Sequence, residues 1–265
     1  MALLRSLPDK CEGRMFPEVS RTWNPVKGCR HGCSYCWARM YAARHEHLDR
    51  WSNLPWVNER EFNAKFRPGE IVFVCDNGDL MGRWVPKDLI EHVIEVVRRH
   101  PDTWFLFLTK NPGRYREFRW PPNAILGATI ETDRDDLALS VSRAPPPSER
   151  LRAMRELKHP LKMISVEPIM DFTPAFPELI LGSGAIWVEV GYDNYPDKHP
   201  PLVEPPLAKA RELIGHLRKA GIKVTEKTMR DHLAPHDERR VAGRPYRRPI
   251  TGVSGDPNRA PRGRS

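Results

Sequence analysis

Two kinds of apolar pattern alternate along this chain. Short runs rich in apolar and β-branched residues recur at EIVFVC (70–75), TWFLFLT (103–109), AILGATI (124–130), KMISVE (162–167), AIWVEV (185–190) and IKVTE (222–226). EVSRTW (18–23) reads as a first strand ahead of them. Most of these runs are continuous rather than alternating, as expected of parallel strands covered on both faces. Between them the period changes. PKDLIEHVIEVVRRH (86–100) sets Leu89, Ile90, Val93, Ile94 and Val97 on one face of a helix, with Pro86 suited to its first turn. SERLRAMRELKH (148–159) and EPPLAKARELIGHLRKAG (204–221) read the same way, the second stopping at Gly221. Strands alternating with helices predict repeated βαβ units and a mostly parallel sheet. Seven strands suit an open doubly wound sheet or a full or partial (β/α) barrel, and the pattern alone does not separate them. In either, ligands gather on the loops that leave the strand ends. Residues 50–69, around WSNLPW, are the least regular part of the body and read as an insertion over the site or a long connection.

Length, charge and leaders narrow the class. At 265 residues the chain suits one sizeable α/β domain or two small ones. The expected division is an N-terminal extension (1–17), a barrel-type domain (18–230) and a tail rich in Arg, Pro and Gly (231–265), without apolar periodicity and expected to be disordered. Of the formal charge of +9, the eight Arg and two acidic residues after position 237 account for +6, which leaves +3 for the body. Such a tail can hold nucleic acid through phosphates, or serve as a solvated end. No apolar stretch reaches the roughly 20 residues of a membrane helix. The apolar core of MALLRSLPDK is too short for a secretory signal, so a cytoplasmic protein without membrane association is expected. Five cysteines in that setting read as thiols or ligands rather than a disulfide framework.

Three of the five stand together. Cys29, Cys33 and Cys36 follow the first strand at C-x3-C-x2-C spacing, just before a helix beginning near Trp37. Gly28 and Gly32 allow the loop to wrap, and the helix directs its positive end toward an anionic centre. An iron–sulfur cube held by three thiolates keeps one iron free for a ligand. A closed zinc site would need a fourth ligand from His31, His45, His47 or Cys11. Unliganded thiols are the third reading. Cys75, ending an apolar strand, reads as a small core residue and Cys11 as incidental.

This motif, with Tyr35 before the last cysteine, resembles the signature of radical S-adenosylmethionine (SAM) enzymes. More narrowly, TWNPVKGCRHGCSYCWARMYAAR (22–44), FLTKNP (107–112), GATIET (127–132) and ISVEPIM (164–170) resemble a phage-associated branch described mainly as a domain of unknown function. The resemblance runs from about Arg21 to Gly191 and departs near the seventh strand, at KVTEKTMR. It implies a full or partial (β/α) barrel, one [4Fe–4S] cluster on Cys29, Cys33 and Cys36, and SAM on the open iron. It also implies an electron donor of flavodoxin or ferredoxin type, and reductive cleavage of SAM to a radical that takes hydrogen from a substrate. Nucleic acid or a nucleotide is the first expectation for that substrate.

Other strand ends supply candidate ligands. In DNGDLMG (76–82), Asp76, Asn77 or Asp79 can accept a bond from the SAM ammonium group while Gly78 lets backbone approach, although a plain loop reads equally well. Thr129 and Glu131 are placed to bond the SAM ribose. Lys110 and Glu167 are the catalytic candidates: Lys110 can pair with a carboxylate or phosphate, and Glu167, ahead of Pro168 and also a candidate to bind the cofactor, needs a partner or ligand if buried, for which Lys110 is one candidate. Glu189, inside AIWVEV, raises the same question. His45 and His47 read as exposed helix residues, and the tryptophans at 51, 56, 84, 104, 120 and 187 as packing. Two other classes remain beside the enzyme: a zinc-containing nucleic-acid-binding module, and a barrel that holds its cluster without cleaving SAM.

Overall fold

The computed structural model describes residues 16–45, 47, 51 and 54–231. Except for Phe16, Pro17 and Asp231, the expected N-terminal extension and basic tail lie outside those residues, as does Cys11. Seven strands form one sheet: β1 (Arg21–Trp23), β4 (Ile71–Val74), β5 (Trp104–Thr109), β6 (Ala124–Thr129), β7 (Lys162–Val166), β8 (Trp187–Val190) and β9 (Lys223–Glu226). They lie side by side in chain order, and every pairing is parallel. A doubly wound sheet reverses its order at a switch point; this one never does. All seven runs recognised by apolarity are strands, trimmed by up to three residues at their ends. Two further short strands, β2 (Val26–Lys27) and β3 (Trp56–Val57), pair antiparallel and pin the irregular connection beside the cysteine loop.

The helices cover one face of the sheet. α1 (Trp37–Arg44) follows the cysteines; α2 (Lys87–Arg98), α3 (Asp135–Val141), α4 (Pro147–Glu156), α5 (Phe176–Gly182) and α6 (Leu207–Lys219) lie on the later crossovers. The stripe on α2 buries Ile90, Val93, Ile94 and Val97 against Val72 and Val74 of β4 and Phe105 and Phe107 of β5 in the larger core.

The opposite face of the sheet encloses a second core of Phe16, Phe73, Leu106, Ile125, Met163 and Trp187. Its geometry reports curvature. The Phe16 ring lies 5.4 Å from that of Phe73 on β4 and 6.4 Å from that of Trp187 on β8. A flat sheet would part those strands by four spacings, about 19 Å. The sheet therefore curls around Phe16 as a partial barrel, with β1 and β9 as the two end strands of its order. Apolar side chains fill the interior toward the strand starts. Farther along, one register row points Thr129, Ser165, Glu189 and Thr225 inward. Among the described residues no helix is long and apolar enough to cross a membrane.

Candidate metal centre and strand-end site

The cysteine loop is held from three sides. On its entry, Gly28 crosses Gly78 from the β4 loop: Gly28 N donates to Asn77 O (2.9 Å) and Asp79 N to Gly28 O (3.3 Å). A Cβ on Gly78 would stand 2.9 Å from the Gly28 backbone, so this crossing requires glycine. Gly28 and Gly32 have φ of 92° and 64°, the left-handed turns that wrap the loop. On its far side, Ser34 N donates to Val141 O (2.9 Å) and Arg143 N to His31 O (2.7 Å) at the end of α3. Underneath, His31 donates from Nε2 to Asp79 (3.0 Å) and packs edge-on against Trp84.

The sulfurs already meet donors. His31 N points at Cys29 Sγ and Arg39 N at Cys36 Sγ, each at 3.4 Å, the latter as the cap of α1; Ser142 Oγ lies 3.1 Å from Cys33 Sγ. Burial pushes the Cys29 and Cys36 thiols up, and the charge of neighbouring cysteines, with Asp79 beside Cys29, pushes further the same way. They stay protonated unless positive charge enters the loop, and a coordinating metal supplies it. Among the described residues, no three His, Cys, Asp or Glu side chains converge as the ligands of one ion. Cys75 is a buried core residue whose thiol burial drives far up.

The remaining candidates fall into three groups. Asp79 accepts from Met81 N (3.0 Å), Thr109 Oγ1 (2.6 Å), Lys110 N (3.0 Å) and His31. Burial opposes its charge, but these bonds and His31 outweigh it and hold the carboxyl below its ordinary value. Both oxygens are fully used in tying the cysteine loop to the end of β5. Asp76 bonds Asn24 and Asn77; these two, with Gly78, stay partly open.

The second group centres on Glu131, which receives Lys110 and Tyr35 on one oxygen and Arg150 (2.6 Å) on the other. Arg150 also donates to Thr129 O at 2.8 Å, and Lys110 to the Tyr35 hydroxyl at 3.0 Å. Burial again opposes the charge, and Arg150 and Lys110 override it, so Glu131 stays ionised well below the usual carboxylate range. The candidate Lys110–Glu167 pair does not form. Strand order decides it: Glu131 follows β6, next to the β5 that carries Lys110, whereas Glu167 follows β7 and pairs with Lys227 beyond β9 (2.6 Å) and with Asn194 (2.9 Å).

The third group lies deeper. Glu189 is wholly buried, and among the described residues no nitrogen or hydroxyl donates to either of its oxygens or to Glu18 Oε2. The two carboxyl groups face each other at hydrogen-bonding range, with Thr225 Oγ1 3.5 Å from Glu18. Such a contact forms only when the pair keeps a proton. Burial is the main cause of the rise in both pKa values; Lys227 opposes it, and Glu18 and Glu167 raise Glu189 further.

A family model covers residues 17–193, more than half of the chain. The chain belongs to DUF5131, described as a protein of unknown function. No curated protein matches the sequence. Among solved structures, a spore photoproduct lyase variant with bound AdoMet and dinucleoside spore photoproduct aligns at a TM-score of 0.53 and 14% identity, over 84% of this chain and 79% of that one. Spore photoproduct lyase complexed with dinucleoside spore photoproduct gives 0.52 and 13%, over 84% and 80%. A radical SAM methyltransferase from Sphaerobacter thermophilus gives 0.49 and 17%, over 81% and 67%. At such identities the likeness concerns the fold, and the fold is the partial barrel of radical SAM enzymes.

The DUF5131 match spans the cysteine loop, Lys110, Glu131, Glu167 and Glu189, and stops ahead of Asn194 and Lys227. Sequence reasoning missed Arg150, Lys227, Asn194 and Glu18, and it took His31 only as a spare metal ligand. A charged residue inside an apolar run marks Glu189. No comparable signal marks Arg150, which sits in a helix already rich in arginine.

Proposed function

We propose that this chain is a radical SAM enzyme, with one [4Fe–4S] cluster on Cys29, Cys33 and Cys36. One observation carries the reading: at the exit of β1 in a partial barrel, Cys29, Cys33 and Cys36 share one loop, and backbone N–H groups point at the first and last of the three sulfurs. When bound, the cluster and SAM supply reductive cleavage of the cofactor and hydrogen abstraction from substrate. A one-electron donor of flavodoxin or ferredoxin type completes that chemistry.

The chain's own groups bind and orient. Asp76, Asn77 and the Gly78 backbone offer acceptors for the SAM ammonium group, and Thr129 lies inside the curl where ribose hydroxyls can be met. Asp79 fixes the loop through His31, and Glu131 with Lys110 and Arg150 braces Tyr35, the residue before Cys36. Glu167 and Lys227, paired beyond the ends of β7 and β9, are the groups this reading assigns to substrate.

The test is anaerobic reconstitution followed by iron, sulfide and zinc analysis. About four irons and four sulfides per chain are expected, with their loss in Cys33→Ala and 5′-deoxyadenosine formed from SAM under reduction. One tightly held zinc without iron would overturn the reading. A second reading, a barrel that keeps the cluster without cleaving SAM, draws on the full engagement of Asp79 within the protein. It predicts iron and sulfide in place but no 5′-deoxyadenosine.

A further inference from the structure

Most large apolar side chains of the described residues are covered, and only five stand clearly exposed: Trp37, Tyr41, Leu139, Leu179 and Val203. The two aromatic ones share one helix. Trp37 and Tyr41, 41% and 47% exposed, are four residues apart on α1, directly after Cys36. His45 extends the row, its ring 4.3 Å from that of Tyr41. Four exposed arginines stand nearby: Arg44 on the same flank of the helix as the rings, Arg39 on its opposite flank, and Arg30 and Arg143 on the neighbouring cysteine loop and the segment packed against it. α1 itself contains no acidic residue, and among the described residues none of these four arginines is paired with a carboxylate.

Trp37 and Tyr41 each leave close to half of their surface open to a partner. Packing explains five other tryptophans: Trp23 and Trp187 are buried in the two cores, and Trp84, Trp104 and Trp120 pack against them. It does not explain Trp37. The row has the composition of a surface that stacks bases and neutralises phosphates. Its spacing selects the form of the strand. Four helical residues separate Trp37 and Tyr41 by about 6 Å along the axis, nearly twice the step of about 3.4 Å between stacked bases. An extended single strand with its bases parted can meet both rings. A duplex, whose bases are stacked on each other, offers phosphates only.

We propose that the flank of α1 that carries Trp37 and Tyr41 binds single-stranded nucleic acid, with bases on the two rings and phosphates on Arg44 and Arg30. The proposal deepens the reading of the preceding subsection by naming a substrate class, and rests on it for the strand's delivery to the metal centre; binding itself requires no cluster.

The experiment titrates full-length protein into a labelled oligothymidine about 12 nucleotides long and into an abasic strand of equal length. Phosphate contacts from the basic tail are common to both strands, whereas stacking needs bases. The base-bearing strand should bind more tightly. Trp37→Ala and Tyr41→Ala should each weaken it by about five- to a hundredfold, leave the abasic strand unchanged, and preserve the far-ultraviolet circular dichroism. Trp37→Phe should recover part of the loss, and Arg44→Gln should lower the salt slope by about one. Equal affinity for the two strands, with both alanine variants binding like wild type, would overturn the proposal. Unchanged oligonucleotide binding with loss of affinity for an acidic flavodoxin would overturn it too, in favour of a protein-docking face. Oligonucleotide binding by iron-free protein that forms no 5′-deoxyadenosine after reconstitution would sustain the stacking surface and sink the enzyme reading.

Discussion

Glu131 holds a negative charge with 1% of its surface exposed, and it does so because Lys110, Arg150 and Tyr35 converge on it. Removing one member of such a group costs more than the group contributes, since the partners stay buried and unpaired. Glu131→Gln should therefore cost about 3–5 kcal/mol in urea unfolding. Lys110→Met, which leaves Arg150 to balance Glu131, should cost less. A loss below about 1 kcal/mol for Glu131→Gln, the range of a surface pair, would show that the cluster is solvated. The sequence marks Glu167 as a group that needs a partner and offers Lys110 as a candidate, but Lys110 pairs with Glu131 instead. Partnership depends on which strands are neighbours, and runs as alike as TWFLFLT, AILGATI and KMISVE carry no label of order. The deeper pair hides for a related reason: Glu189 interrupts an apolar strand in plain view, whereas Glu18 meets it only because the segment before β1 folds into the curl.

At the scale of elements, the strand ends bring distant loops together through backbone contact. The Gly28–Gly78 crossing fixes where the cysteine loop begins, and α3 fixes where it turns. Gly78→Ala puts a methyl group 2.9 Å from the Gly28 backbone, so the loop must yield while the sheet beneath it does not. The expected outcome is substoichiometric iron after reconstitution, with unchanged circular dichroism and an unfolding midpoint close to wild type. Full iron loading in this variant would show that the loop tolerates a displaced entry. Strands were legible because each is a buried run bounded by polar residues, and α2 and α6 because their stripes are long. α3 was not: seven residues with Leu137, Leu139 and Val141 at alternate positions give no helical stripe. Curvature was illegible for another reason. It is set by how far the sheet rolls before Phe16 fills it, a property of packing rather than period.

Across the whole molecule the buried carboxylates pull stability in opposite directions with pH. Asp79 and Glu131 have folded values below their ordinary ones; their stabilisation is present above the ordinary carboxylate range and is lost as pH falls through the folded values. Glu189 and Glu18 are raised. Above the ordinary glutamate value of 4.5 the unfolded chain releases protons that the folded pair retains, so the folded state binds more protons and stability falls as pH rises, until the pair itself titrates. Each unit of the rise costs about 1.4 kcal/mol once pH exceeds both values. Glutamine keeps the shape of the protonated carboxyl and has no proton to lose. Glu189→Gln should thus flatten the decline in urea stability between about pH 5 and pH 8 and make the protein more stable than wild type at the upper end. Subtracting one profile from the other cancels His159, whose burial lowers its own value, and every other group the two proteins share. A difference profile that stays level across this range would mean that Glu18 and Glu189 both ionise in the folded protein, and that Lys227 alone holds two negative charges inside the curl.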